Sequence, residues 1–333
     1  VHYHDVSQDI TSDTAWTWRY PYPSRDGLIS RLLEGSRAYF NYDAHLRFRR
    51  IRRMTALSLP SLNAVHLTVV WPLYVYAAFA GAALTSFGCL AVDRLPHQLG
   101  WRDEPQPGLT LCGPPSRCNA CATRIRWIHL IPVFGYALAR GRCPVCAARV
   151  PVVYPLLEGV GGAGACAALA WFGMSWAGVA AAALWLTLLF LAWMDWNESW
   201  LPAVVTRPLF WSGLLMSPFA ATADQRIQGA FGACLLMWLA MKLVGWTRRA
   251  DLVAGGDVAL AAAAGAWLGR DGVPLFLLAS ALLFIAYAAP LRVRGRVLVP
   301  MGPALAAGWW VALMLLPAWQ HLLMSDLGLA SRF

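Results

Sequence analysis

Long apolar runs separated by short polar turns dominate the chain from residue 63 onward. They recur at 63–92, 151–172, 175–194, 203–221, 227–246, 258–268, 273–291 and 300–323. A helix needs about 20 apolar residues to cross a bilayer, so the pattern predicts an all-α polytopic membrane protein with about eight transmembrane helices. The run at 258–268 is the shortest and is closed by Arg270-Asp271-Gly272. No helical period is visible within runs such as 179–194, where every face is apolar, as expected where lipid is the solvent. Two polar tracts break the pattern: an extension over 1–62, with a helical stretch expected near 29–40, and an insert over 93–150 between the first and second spans. The expected organisation is therefore the extension 1–62, a first span 63–92, the insert 93–150, a seven-helix membrane domain 151–324 and a tail 325–333.

Composition agrees with the pattern. Hydrophobic residues make up 59% and charged residues 13% of the 333 residues, about half the charge a soluble surface carries. Twenty-six of the 27 basic residues are arginine, Lys242 being the single lysine, and the net charge is +10. These arginines cluster beside apolar runs, where they set topology and meet anionic headgroups. No aromatic-interleaved basic groove points to nucleic acid. With the insert in the cytoplasm, loops on its side hold thirteen Arg and opposite loops three, a strong positive-inside bias. The run Arg47-Phe48-Arg49-Arg50-Ile51-Arg52-Arg53 disagrees, because alternation of the spans puts it outside. His2 and His4 read as solvated residues without a role.

The insert carries Cys118-Asn119-Ala120-Cys121 and Cys143-Pro144-Val145-Cys146. Two C-x-x-C knuckles offer four thiolates to a tetrahedral Zn²⁺, and a segment this poor in apolar residues would draw most of its folding free energy from the metal. Two redox dithiols are the other reading, disfavoured for structural disulfides on a cytoplasmic face. Cys112 reads as a spare thiol, and Cys89, Cys166 and Cys234 as small packing residues within spans.

Two aspartates sit at the ends of apolar runs. Asp195 closes 179–194, and Asp257 follows Gly255-Gly256 and opens 258–268. Ionisable groups at such depth are functional candidates by default. Both fall on the cytoplasmic face, on separate helices that can bring them together. A poorly solvated carboxyl pair shares one proton, so one member can activate water while the other polarises a scissile carbonyl. Spacing alone leaves it equally open that each aspartate caps a helix.

Beyond these clusters, the chain resembles the type IV prepilin peptidase family from about residue 83 to residue 315. In chain order the resemblance rests on Ser86-Phe87, Arg94-Leu95-Pro96, both knuckles, Ile125-Arg126-Trp127, Ile131-Pro132-Val133 and Arg140-Gly141-Arg142-Cys143. It continues with Tyr154-Pro155-Leu156-Leu157-Glu158, Asp195 with Leu201-Pro202, Gly256-Asp257, Gly265-Ala266-Trp267-Leu268-Gly269 and Pro300-Met301-Gly302-Pro303. It implies an eight-span inner-membrane enzyme with a zinc-stabilised cytoplasmic insert, whose catalytic pair is Asp195 and Asp257 as in a G-x-G-D-type aspartic protease. The implied substrates are prepilins or pseudopilins, cleaved between a basic leader and an apolar helix. The new N-terminus is then methylated from S-adenosylmethionine.

Several positions depart from the family pattern: Cys89 for Asn, Ala203 for Asp, Asn197 for an acidic residue and Ala259 for Lys. Since both aspartates remain, proteolysis is the expected activity, while the departures bear on substrate capture and methyl transfer. Glu158 reads as support for methyl transfer or substrate binding, against a helix-end or interhelical hydrogen-bonding role. Arg94 is expected to anchor at the interface and Trp127 to pack the insert. Two other readings compete: a non-catalytic relative that binds prepilins as an assembly scaffold, and a transporter with the aspartates on a proton path. The transporter leaves the knuckles unexplained.

Overall fold

The computed structural model describes residues 64–103, 108–250, 252–295 and 299–325, without the side chains of 64–70 and 321–325. The extension 1–62, with its arginine run, and residues 326–333 lie outside the described residues. Two units are delimited, Val1–Leu67 and Thr68–Phe333, and the site described below lies in the second. Among the described residues no β-strand forms. Eight long helices lie among the described residues: α1 Ala64–Gln98, α2 Val153–Phe172, α3 Trp176–Glu198, α4 Ala203–Met216, α5 Ala223–Arg248, α6 Gly255–Leu268, α7 Val273–Val293 and α8 Gly302–Ser325.

Among the described residues, six segments are long and apolar enough to cross a membrane: Trp71–Gln98, Val153–Phe172, Trp176–Glu198, Ala223–Arg248, Arg270–Val293 and Gly302–Gln320. The remaining two, α4 and α6, have 14 residues each. At 1.5 Å per residue they reach about 21 Å, short of the roughly 30 Å hydrocarbon core. The apolar run 203–221 therefore does not form one helix. Ser217, which precedes Pro218, takes an extended conformation, as the proline ring demands of its predecessor. Its hydroxyl donates to the Trp267 carbonyl at 2.6 Å.

Helix α1 also differs from expectation, running six residues past Val92 to Gln98. The chain turns polar at Asp93, but Val92, Arg94, Leu95 and Pro96 are all buried. Arg94, expected at the interface, is buried with its guanidinium donating to the carbonyls of Thr110 at 2.8 Å and Pro114 at 2.7 Å in the insert. Trp127 does not pack the insert, and is 77% exposed. The turn Trp127–Leu130 buries none of its side chains. It meets its neighbour through its backbone, the His129 carbonyl lying where a Cβ on Gly135 would stand.

The core centres on α6, whose Leu260, Ala261, Ala263, Ala264 and Leu268 are fully buried with Leu184, Leu188 and Leu191 of α3 and Leu305, Trp309 and Leu313 of α8. Helix α6 is short and buried over most of its length, and the Trp267 carbonyl near its end is met by the Ser217 hydroxyl. Trp267 donates from Nε1 to the Leu209 carbonyl of α4 at 2.8 Å. On its other side α6 crosses α5 in backbone contact at Gly265 and Gly229. A Cβ on Gly229 would stand 2.6 Å from the Gly269 carbonyl carbon, and one on Gly265 would stand 2.9 Å from the Ala230 nitrogen. Small residues at a crossing allow this approach in lipid.

Gly265→Val forces α5 and α6 apart. It is expected to cost about 1–3 kcal/mol, read as a lowered thermal transition of the detergent-solubilised protein, whereas Gly232→Ala, at a glycine with open space around it, leaves the transition in place.

Candidate active site and metal centre

The two knuckles fold as near copies, 25 positions apart. Each is closed by an isolated antiparallel bridge, Arg117 with Arg124 and Arg142 with Arg149. In each, the first cysteine's amide donates across the turn, Cys118 N to Thr123 O at 2.9 Å and Cys143 N to Ala148 O at 2.8 Å. The residue after the second cysteine, Ala122 or Ala147, takes a positive φ of 55° or 59°, which tightens the loop so that both thiols point inward.

Facing each other, the knuckles place the sulfurs of Cys118, Cys121, Cys143 and Cys146 within 4.8 Å of one another. Cys118 Sγ lies 3.7 Å from Cys146 Sγ, and Cys121 Sγ lies 3.9 Å from Cys143 Sγ. Tetrahedral Zn–S bonds of about 2.3 Å separate their sulfurs by about 3.8 Å, so the four residues fit zinc. The Thr123 hydroxyl and amide pull the Cys121 thiol down to about 6, and the amides of Cys146 and Val145 lower Cys143. Against the pull of the Ala148 amide, the Cys121, Cys143 and Cys118 sulfurs help push Cys146 up to about 12. Four thiolates this close need a cation among them.

The insert is tied to the helix ends by more than its chain connections. Besides the Arg94 clamp, the Arg102 guanidinium grips both carboxylate oxygens of Glu198 in the last turn of α3. Next to that pair the rings of Trp101 and Trp200 stack with centroids 5.1 Å apart and planes 7° from parallel. Glu198 thus stands three residues from Asp195 and is fixed by the insert. Glu158 of α2 accepts from the Val133 amide at 2.7 Å, so its carboxylate holds the insert at a residue whose φ is 62°.

Asp195 and Asp257 are buried, 6% and 9% exposed. Asp195 lies in the last turn of α3 and Asp257 in the first turn of α6. The chain after α3 packs directly on the start of α6, since a Cβ on Gly256 would stand 3.0 Å from Leu201 Cβ. That contact brings the two aspartates to one end of the bundle, where Asp257 lies within reach of the Asp195 charge. Asp195 Oδ2 accepts from the Gly302 amide of α8 at 2.6 Å. The Tyr287 hydroxyl of α7 lies within electrostatic reach of both carboxyls and donates to the Pro300 carbonyl at 2.5 Å. A buried carboxyl pair held by fixed dipoles can share a proton and act on a water molecule between them.

Sequence reasoning overlooked Tyr287, the Gly302 amide and the Arg102–Glu198 pair. Tyr287 carried a signal, a hydroxyl inside an apolar run. Arg102 carried none, because nothing local marks which of many arginines will find Glu198 96 residues away. Of the departures, Cys89 is buried beside Leu157 and Phe190, and Asn197 donates to the Trp193 carbonyl of its own helix at 2.7 Å. Ala203 is exposed and Ala259 half-buried.

Metal analysis of the purified chain is expected to find about one zinc per molecule, and Cys118→Ser to lose it together with much of the protein's stability. Because the ligands must be deprotonated, acidification is expected to release the metal. A zinc-free protein with an unchanged thermal transition would sink the assignment.

Comparison with known proteins agrees with the geometry. Residues 79–172 match the model of the bacterial peptidase A24 N-terminal domain, and residues 180–289 that of the type IV leader peptidase family. A prepilin leader peptidase/N-methyltransferase of Burkholderia pseudomallei (strain 1026b) is 34% identical over 254 residues, 70% of this chain and 82% of the relative. Proteins of the same name from Pseudomonas aeruginosa and Neisseria gonorrhoeae are 32% and 29% identical, over 70% and 74% of this chain and 87% and 92% of their own lengths. No solved structure gives a significant match. Such identity across most of both proteins, joined to a helical membrane fold that brings two carboxyls together beside a four-cysteine insert, means that the chain belongs to the type IV leader peptidase family.

Proposed function

We propose that the chain is an aspartic endopeptidase of the inner membrane that removes the basic leader of type IV prepilins or pseudopilins at the cytoplasmic boundary. It then methylates the new N-terminus. The single observation that carries this reading is the burial of Asp195 and Asp257 at one end of the bundle, with Asp257 within reach of the Asp195 charge. In the mechanism they share one proton. The ionised carboxylate takes a proton from a water molecule as its oxygen attacks the scissile carbonyl, and the protonated partner donates a hydrogen bond to the carbonyl oxygen. Collapse of the tetrahedral intermediate breaks the C–N bond, and the departing amine leaves with a proton from the pair.

The cytoplasmic placement is supported by the arginine bias of the loops. The names of the relatives support prepilin substrates and the methyl transfer. Zinc held by Cys118, Cys121, Cys143 and Cys146 would supply no chemistry at the carboxyl pair, serving to lock the insert against α3 through Arg102. S-adenosylmethionine is a cationic sulfonium donor, and the acidic groups near the insert suit it. Asp93 interacts with Glu198, and Asp93 and Glu158 both act on the Cys89 thiol. Glu158 serves methyl transfer in this reading by holding the Val133 segment of the insert against α2, and the same negative charge suits the basic leader of the substrate.

With a purified prepilin in detergent, the wild type is expected to release the leader. Asp195→Ala and Asp257→Ala are each expected to lower the rate about 100- to 10,000-fold while the protein still inserts in the membrane. Glu158→Gln is expected to reduce methyl incorporation more than cleavage, followed by mass spectrometry of the product. If the wild type cleaves nothing and both aspartate variants still support pilus assembly, the chain is instead a binding scaffold.

A further inference from the structure

The first turn of α8 lies against Asp195. The Gly302 amide donates to Asp195 Oδ2 at 2.6 Å, a buried bond between groups 107 positions apart. Amides at a helix start have no partner within the helix. Here Pro303 has none to offer, and those of Ala304 and Leu305 already turn back to the Met301 carbonyl at 3.0 and 3.1 Å. From Gly302 to Leu305, Gly302 is thus the amide that meets the carboxylate. The residue has no room for a side chain: a Cβ there would stand 2.6 Å from Asp195 Oδ2, 2.8 Å from its Cβ and 2.9 Å from its Cγ.

A second contact sets the height of that turn. Tyr287, on α7, donates its hydroxyl to the Pro300 carbonyl at 2.5 Å, two residues before Gly302. Its ring packs against Trp196, the neighbour of Asp195, with centroids 6.4 Å apart. Tyr287 therefore touches both the strap that carries the amide and the helix that carries the acid.

We infer that Gly302 and Tyr287 are positioning residues for the aspartate pair. Tyr287 pins the Pro300 carbonyl, and the strap so fixed presents the Gly302 amide to Asp195 Oδ2. With that oxygen held, the other oxygen of Asp195 is the one left to accept a proton from the attacking water. The inference rests on the aspartic reading proposed above and deepens it. Neither residue touches the substrate's reacting atoms; both act through the orientation of Asp195, and misplacement of a catalytic group by an ångström can cost about 100-fold in rate.

The test compares Tyr287→Phe and Gly302→Ala with wild type and with Asp195→Ala and Asp257→Ala, in the full-length protein with a purified prepilin. Tyr287→Phe keeps the ring and removes only the hydroxyl. It is expected to lower kcat about tenfold with KM, zinc content and thermal transition unchanged. Gly302→Ala, which must swing the carboxyl aside, is expected to lower kcat about 100-fold. Wild-type kcat in both variants while the aspartate variants are inactive overturns the positioning role alone. A Tyr287→Phe protein whose kcat falls only together with its thermal transition overturns it as well, since the contact is then merely structural. Full turnover in Asp195→Ala or Asp257→Ala instead refutes the aspartic reading on which the inference stands.

Discussion

A carboxyl group inside a membrane protein must find partners for the hydrogen bonds that water would have provided, and Asp195 finds one in the amide at the start of α8, with Asp257 within reach of its charge. Burying a charge without such partners is costly. The cost is met here by a backbone amide that cannot titrate. The surrounding architecture serves this pair: α6 is short and central, α8 packs against both α3 and α6, and the segment at Leu201 presses on Gly256. Loosening any of these contacts separates acids that come from opposite ends of their respective helices.

The insert meets a different constraint. It has too little apolar surface to hold itself together, and its exposed Trp127, Phe134 and Leu138 show how few of its large side chains find an interior. Four cysteines in two matching knuckles supply a centre that a small segment can build without a core. That centre is coupled to the bundle through charged and aromatic contacts, Arg94 under the loop at Thr110–Pro114, Arg102 on Glu198 and Trp101 on Trp200. The Glu198 contact falls in the same helical turn as Asp195, so the insert, through Arg102, reaches the helix end that carries one of the acids.

Of the family departures, Ala203 is exposed and Ala259 half-buried, and Cys89 fills an apolar niche with Leu157 and Phe190. The polar partner that holds Asp195 is the backbone amide of Gly302, which none of those substitutions removes.

Much of this was legible in the chain itself, because the signals are local. Apolar runs as long as a bilayer is thick announce membrane helices, two C-x-x-C pairs announce a tetrahedral metal centre, and an aspartate ending an uninterrupted apolar run stands out against its surroundings. Other features depended on contacts between distant residues. Hydropathy could not show that α1 continues to Gln98, since Arg94, just past the apolar run, is satisfied by a loop folded over it. Nor could it show that the run 203–221 breaks at Ser217, where a hydroxyl finds the carbonyl of Trp267. Composition and spacing determined which groups could do chemistry; which of them meet was decided by the tertiary structure, because the amide of Gly302, the hydroxyl of Tyr287 and the guanidinium of Arg102 acquire their partners only when helices far apart in sequence are packed side by side.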